Sequence, residues 1–146
     1  MFMKKQKGFT LIEIMVVIII LGLLAGLVLP KFLGQEEKAK KEVAKTQIRS
    51  LESALDAYKL DNGFYPTTDQ GLDALIKKPE VGRIPEKWRE GGYLKPARIP
   101  KDPWNTDYVY ISPGNENREY EIISYGPDKE PGGDGKNADI QSWKME

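Results

Sequence analysis

The sequence predicts an α+β protein, with one long N-terminal helix packed on a small antiparallel β-sheet. Three observations predict it. Residues 9–29 form an apolar run whose only polar side chains are Thr10 and Glu13. Val43, Ala44, Ile48, Leu51, Leu55 and Tyr58 then recur at three- and four-residue steps, the spacing of one helix face. Beyond Asn62 that period stops, and short stretches bounded by Pro, Gly and Asn take over.

The apolar run comes first. As a helix it is roughly 31 Å long at about 1.5 Å per residue, enough to cross a bilayer. Lys4, Lys5 and Lys7 precede it, and Gly8 stands at the junction with Phe9. A conventional signal peptide has a shorter apolar core of about 7–15 residues, followed by a small-residue cleavage site. Here the far end reads Val28-Leu29-Pro30-Lys31-Phe32, and the small residue lies before the core. A plain membrane anchor fits the length but explains neither Gly8-Phe9 nor Glu13. A carboxylate in a span costs roughly 2.5–3.5 kcal/mol at its centre and less near an end, so Glu13 is expected to have a partner. The three lysines on the short N-terminal side favour a cytoplasmic N-terminus, against Lys31, Glu36, Glu37 and Lys38 beyond the run.

The helix is expected to continue past the span, from about Thr10 to Leu60. Pro30 is a predicted kink, and Asp61-Asn62-Gly63 a stop. The amphipathic half, residues 30–61, needs cover for its apolar stripe, and residues 62–146 are the natural source. Gly22 and Gly26 have two readings of equal weight. Their spacing permits close helix approach in a membrane, or they loosen the helix at roughly 1 kcal/mol each.

In the remainder, Tyr65-Pro66-Thr67-Thr68-Asp69-Gln70-Gly71-Leu72-Asp73-Ala74-Leu75-Ile76 reads as a short helix. Thr67 and Gln70 form its capping box, and Lys77, Lys78 and Pro79 end it. A loop rich in Pro, Gly and charge carries Ile84 and Trp88. Asp107–Ile111 and Glu119–Ser124 read as strands about a turn at Ser112-Pro113-Gly114-Asn115. Trp104, Tyr108, Tyr110, Tyr120 and Trp143 suit the core of a small sheet better than a sugar-binding platform.

Composition closes off several functions. Lys+Arg and Asp+Glu are both 22, so the formal net charge is zero and nothing points to nucleic acid. With no Cys and no His there is no disulfide, no thiolate, no histidine general base and no ordinary zinc site. No phosphate-binding glycine motif occurs, and no carboxylate pair is marked as acid and base. The chain is not expected to be an enzyme.

One oxygen-rich segment remains. Asp128, Glu130, Asp134, Asn137 and Asp139 lie close together among Gly126, Gly132, Gly133 and Gly135. Calcium takes six to eight oxygen ligands, and glycines let a loop turn its carbonyls inward. The spacing is not that of an EF-hand, so from the residues alone a solvated turn competes with a cation site.

Lys7-Gly8-Phe9-Thr10-Leu11-Ile12-Glu13 resembles the class III leader of type IV prepilins and type II secretion pseudopilins. Tyr65–Leu72, Asp102-Pro103-Trp104, Ser124-Tyr125-Gly126-Pro127-Asp128 and Ala138–Trp143 resemble the major pseudopilins in particular. The resemblance covers essentially the whole chain and implies a type IV pilin-like fold with a C-terminal metal-binding loop. It implies that residues 1–8 are a leader, that prepilin peptidase cuts between Gly8 and Phe9, and that Phe9 is then N-methylated. It also implies that residues 9–29 become membrane anchor and filament core, where the stretch up to the proline can lose helicity. Glu13 would meet the N-terminal amine of a neighbouring subunit, each charge lowering the other's desolvation cost. The loop would hold calcium through Asp128, Asn137 and Asp139 and the backbone oxygens of Tyr125 and Glu130. Asn137 stands where the family often has Asp.

The function implied is the major structural subunit of the type II secretion pseudopilus. Such a chain sits in the bacterial inner membrane by one span with its C-terminal part in the periplasm. It assembles as a homo-oligomeric helical filament with minor pseudopilins on an inner-membrane platform, powered by an ATPase. A type IV pilin of adhesion or motility is the nearer alternative, although many of those close a C-terminal disulfide. A membrane-anchored periplasmic binding module is the more distant one.

Overall fold

A computed structural model of the chain describes residues 8–145, and of residues 28–33 it describes the backbone alone. Lys4, Lys5 and Lys7 of the predicted leader lie outside the described residues. The chain divides into two compact units between Lys38 and Ala39.

Helix α1 runs from Leu11 to Asn62, close to the predicted Thr10–Leu60. The expected kink at Pro30 falls among the residues whose side chains are not described. In the first unit the apolar side chains are exposed along their length, from Leu11 at 81% to Leu27 at 74%. A surface of this kind calls for lipid or another chain as cover. Among the described residues no helix is long and apolar enough to cross a membrane. The predicted span extends over Val28 and Leu29, which lie outside the described side chains. A side chain at Gly22 or Gly26 would meet no atom of the same chain, so any packing reason for them lies in a neighbouring helix.

In the second unit α1 buries the predicted stripe: Ala44, Ile48, Leu51, Leu55 and Tyr58, joined by Ala54. Val43 does not belong to it and is half exposed. It sits one position before Ala44, rotated off the buried face by about 100°. Burying a Leu or Ile side chain contributes roughly 1.5–3 kcal/mol, and Ile48, Leu51 and Leu55 are fully buried together with the larger Tyr58. Gly63 ends the helix: its amide donates to the Lys59 carbonyl at φ +83°, a conformation that favours glycine.

The sheet has order β1-β2-β3, with β1 Val109–Ile111, β2 Glu121–Ser124 and β3 Ile140–Gln141, all antiparallel. Tyr110 pairs with Ile122, and Ser124 with Ile140. These four side chains are buried. The first two strands are shorter than predicted, and β3 was not predicted at all. Trp104, Tyr108 and Tyr110 are core residues, as the packing reading expects. The Tyr110 hydroxyl donates to the Pro66 carbonyl at 2.8 Å, and the Tyr108 hydroxyl to Gln47 Oε1 at 2.5 Å.

The predicted capping box forms. The Thr67 amide donates to Gln70 Oε1 at 3.1 Å, and the Gln70 amide to Thr67 Oγ1 at 3.4 Å. It opens not an α-helix but a turn and a short 3-10 segment, Leu72–Leu75. Trp88 leans on this segment and donates its indole N–H to the Ala74 carbonyl at 2.8 Å. Ile84 remains exposed.

Candidate functional site

Two places carry candidate function, one in each unit. In the first, Gly8, Phe9 and Thr10 precede the helix, and all three are exposed. The Gly8–Phe9 peptide bond therefore lies in exposed, non-helical backbone. Thr10 caps α1: its hydroxyl oxygen accepts the Glu13 amide at 3.3 Å, and its carbonyl accepts the amides of Glu13 and Ile14. Glu13 sits in the first helical turn with an exposed side chain, where the helix dipole favours an anion. The cap was not recognised in the sequence, although Thr10-x-x-Glu13 has the spacing of a capping box.

The second place is the C-terminal loop. Tyr125 leads into a 3-10 turn, Gly126–Asp128, which packs against a second 3-10 turn, Gly135–Asn137. Asp128 Oδ1 accepts the Glu130 amide at 3.3 Å, and Asp139 Oδ2 accepts the Gly132 amide at 2.8 Å. The other oxygen of Asp139, Oδ1, is buried with no hydrogen-bond partner. A Cβ at Gly133 would lie 2.6 Å from the Asn137 carbonyl oxygen, so glycine there permits the loop to close on itself. Asp128 and Glu130 are exposed, while Asn137 and Asp139 are partly buried. Among the described residues no cluster of three or more His, Cys, Asp or Glu is disposed to hold a metal. Any cation here would have to draw on amide and main-chain oxygens besides Asp128 and Asp139.

The contacts that hold and flank this loop were not foreseen. Asp102 is 3% exposed. Its Oδ1 accepts the Trp104 and Thr106 amides at 3.1 and 2.7 Å, and its Oδ2 accepts the Ser124 hydroxyl at 2.6 Å. Ser124 Oγ in turn accepts the Gly126 amide at 3.3 Å. Lys41 Nζ on α1 donates to the Gly135 carbonyl at 3.0 Å, and Arg49 Nη2 to the Met145 carbonyl at 3.4 Å. The Asp102–Ser124, Lys41–Gly135 and Arg49–Met145 bonds cannot be read from spacing, because each joins residues far apart in sequence.

The hairpin between β1 and β2 is held by a buried charge. Glu121 Oε1 accepts the Asn115 amide at 2.8 Å and pairs with Arg118 Nε at 3.0 Å, while Asn115 Nδ2 donates to Oε2 at 3.1 Å. Burial alone would raise the carboxyl pKa. The Asn115 amide and the Arg118 guanidinium outweigh it and hold Glu121 below its ordinary value. Arg118 also stacks over the Trp143 ring, with its guanidinium carbon 4.4 Å from the centroid, and so steadies the residues after β3. Glu52 on α1 moves the other way, raised by burial and then by Asp56, with Arg49 and Tyr120 opposing.

Residues 31–143 match the family model described as type II secretion system protein G, and residues 3–29 match the prokaryotic N-terminal methylation motif. The chain is similar to two proteins named type II secretion system core protein G. That of Vibrio cholerae serotype O1 is 53% identical over 144 residues, 99% of this chain and 96% of the relative. That of Pseudomonas aeruginosa is 48% identical over 140 residues, 96% of each chain. The crystal structure of the major pseudopilin from the type 2 secretion system of enterohaemorrhagic Escherichia coli matches with a TM-score of 0.67 and 41% identity. The match covers 77% of this chain and 94% of that one.

Proposed function

The chain belongs to the type II secretion system protein G family, and we propose on that premise that it is the major pseudopilin of its system. It is the repeating subunit of a periplasmic filament that drives folded proteins across the outer membrane. The observation that carries this reading is the continuity of one helix, Leu11–Asn62, through an exposed apolar half and a half that buries its stripe against the sheet. An exposed apolar helical surface can pass from membrane to filament by exchanging lipid for neighbouring copies. The reading assigns the chain no catalysis.

Its parts follow from the residues. Prepilin peptidase cuts between Gly8 and Phe9 and methylates the Phe9 amine. Residues 9–29 anchor the subunit in the inner membrane with the second unit in the periplasm. Glu13 meets the amine of a neighbouring Phe9 during assembly, with minor pseudopilins and an inner-membrane platform as further partners.

The donor set of the loop fits a hard cation, and calcium is the ion proposed. A carboxylate oxygen buried without a partner is costly, and Asp139 Oδ1 is such an oxygen. Asp128, Asn137 and Asp139 would hold the ion with the main-chain oxygens of Tyr125 and Glu130. When bound, it supplies the cross-link that a loop of Gly, Pro and charge cannot obtain from apolar burial.

Deleting the gene in the native bacterium tests the function. Proteins exported by the type II route should accumulate in the periplasm and return to the medium on complementation. Undiminished export without the chain would refute the reading.

A further inference from the structure

The first buried residue on α1 within the second unit is Ala44, and Lys41 lies about one helical turn before it. From there Lys41 Nζ reaches the Gly135 carbonyl at 3.0 Å, across a sequence separation of 94 residues. Gly135 begins the 3-10 turn that carries Asn137, and its carbonyl also accepts the Ala138 amide at 3.5 Å. Asn137 is in turn pressed against Gly133. Eight residues further along α1, Arg49 grips the Met145 carbonyl, beyond β3. The loop and β3 are thus tied to one helix at both ends. At the Lys41 end the support is a charged donor on an exposed carbonyl, in a turn none of whose residues is buried.

We infer that Lys41 is a positioning residue through which the C-terminal loop clamps α1 one turn before its buried stripe begins, so that ordering of the loop by calcium also holds the helix around residues 41–45. The inference rests on the calcium reading above and goes beyond it. The ion would act on the helix surface that leads toward the membrane segment as well as on its own loop. A carbonyl that is fixed presents a standing acceptor to the ammonium, whereas a carbonyl in a fluctuating loop does not. A charge-assisted hydrogen bond made only in the ordered state links the two segments in both directions.

Hydrogen exchange on the full chain in detergent, with calcium or with chelator, tests the clamp in wild type, Lys41→Met and Lys41→Arg. In wild type calcium should slow exchange at amides 126–139 and, by about threefold or more, at amides 41–45. In Lys41→Met the loop should still respond while amides 41–45 should not, and Lys41→Arg should restore their response. Protection of 41–45 by calcium in Lys41→Met equal to wild type would overturn the clamp. A wild-type loop that responds without any response at 41–45 would overturn it too and leave the calcium reading standing. A loop that ignores calcium would overturn both.

Discussion

Asp102 Oδ2 accepts the Ser124 hydroxyl at 2.6 Å, and this bond joins the segment before β1 to the last residue of β2. The same carboxylate holds two amides with its other oxygen, and Ser124 passes the contact on to Gly126. One buried side chain therefore organises the Pro103 turn and the entrance to the C-terminal loop. Asp102→Ala should leave the Trp104 and Thr106 amides unsatisfied, at about 1–3 kcal/mol each. Ser124→Ala leaves one amide, that of Gly126, and one oxygen of Asp102 without this partner, and should cost about 1–3 kcal/mol. Thermal denaturation should rank Asp102→Ala below Ser124→Ala, and equal losses would show that the two amides find other partners.

On the proposed function Glu13 should serve assembly and not the fold of the second unit. Glu13→Val removes a charge from the apolar segment, so membrane insertion should be at least as good as in wild type. Melting of the second unit should not change. Fibre formation and export should fall sharply, and Glu13→Val fibres that form and export at the wild-type level would contradict the pairing with a neighbouring amine.

Calcium should raise the melting temperature of the full chain in detergent relative to chelator. A ligand confined to the native state stabilises it by roughly 2.7 kcal/mol at a hundredfold excess over Kd. Asp128→Ala and Asp139→Ala should remove the difference. Asn137→Asp should keep or enlarge it, because a formal charge is restored. Magnesium should substitute poorly, since it demands a tighter octahedral site. Identical melting with calcium and with chelator at millimolar calcium would return the loop to a self-closed turn.

Glu121 gives the fold an acid limit. Its carboxyl pKa is lowered in the folded state from 4.5. The stability it contributes is therefore complete above about pH 4.5 and is lost as pH falls through the lowered value. Glu121→Gln should melt lower than wild type at pH 7, and the gap should close as the pH is taken well below 4.5. A gap that stays constant with pH would mean that the carboxylate charge plays no part.

The helix was legible because its signal is local and repeated. Ala44, Ile48, Leu51, Leu55 and Tyr58 announce their common face by spacing alone, and Gly63 announces the end. Val43 was misplaced because an apolar residue beside Ala44 fits a stripe by type though not by angle. The strand β3 escaped because two residues, Ile140 and Gln141, are too few to show alternation. Their pairing is decided by β2, which lies elsewhere in the sequence. The capping box at Thr67 and Gln70 could be read from four residues, but the 3-10 form of Leu72–Leu75 could not. At the candidate sites, Gly8, Phe9 and Glu13 stood out as a motif. Asp128, Asn137 and Asp139 stood out as a cluster of oxygens. Lys41 did not, nor did the bond between Asp102 and Ser124, because each acts through a partner brought near only by folding.

The account stands or falls on whether this chain, cut at Gly8, is the body of a fibre. Fibres sheared from cells that express the complete secretion system should be dissolved and their main subunit weighed intact. The expected mass is that of Phe9–Glu146 with one added methyl group on the Phe9 amine. A subunit that retains residues 1–8, a cut near Pro30, or fibres that lack this chain would contradict it.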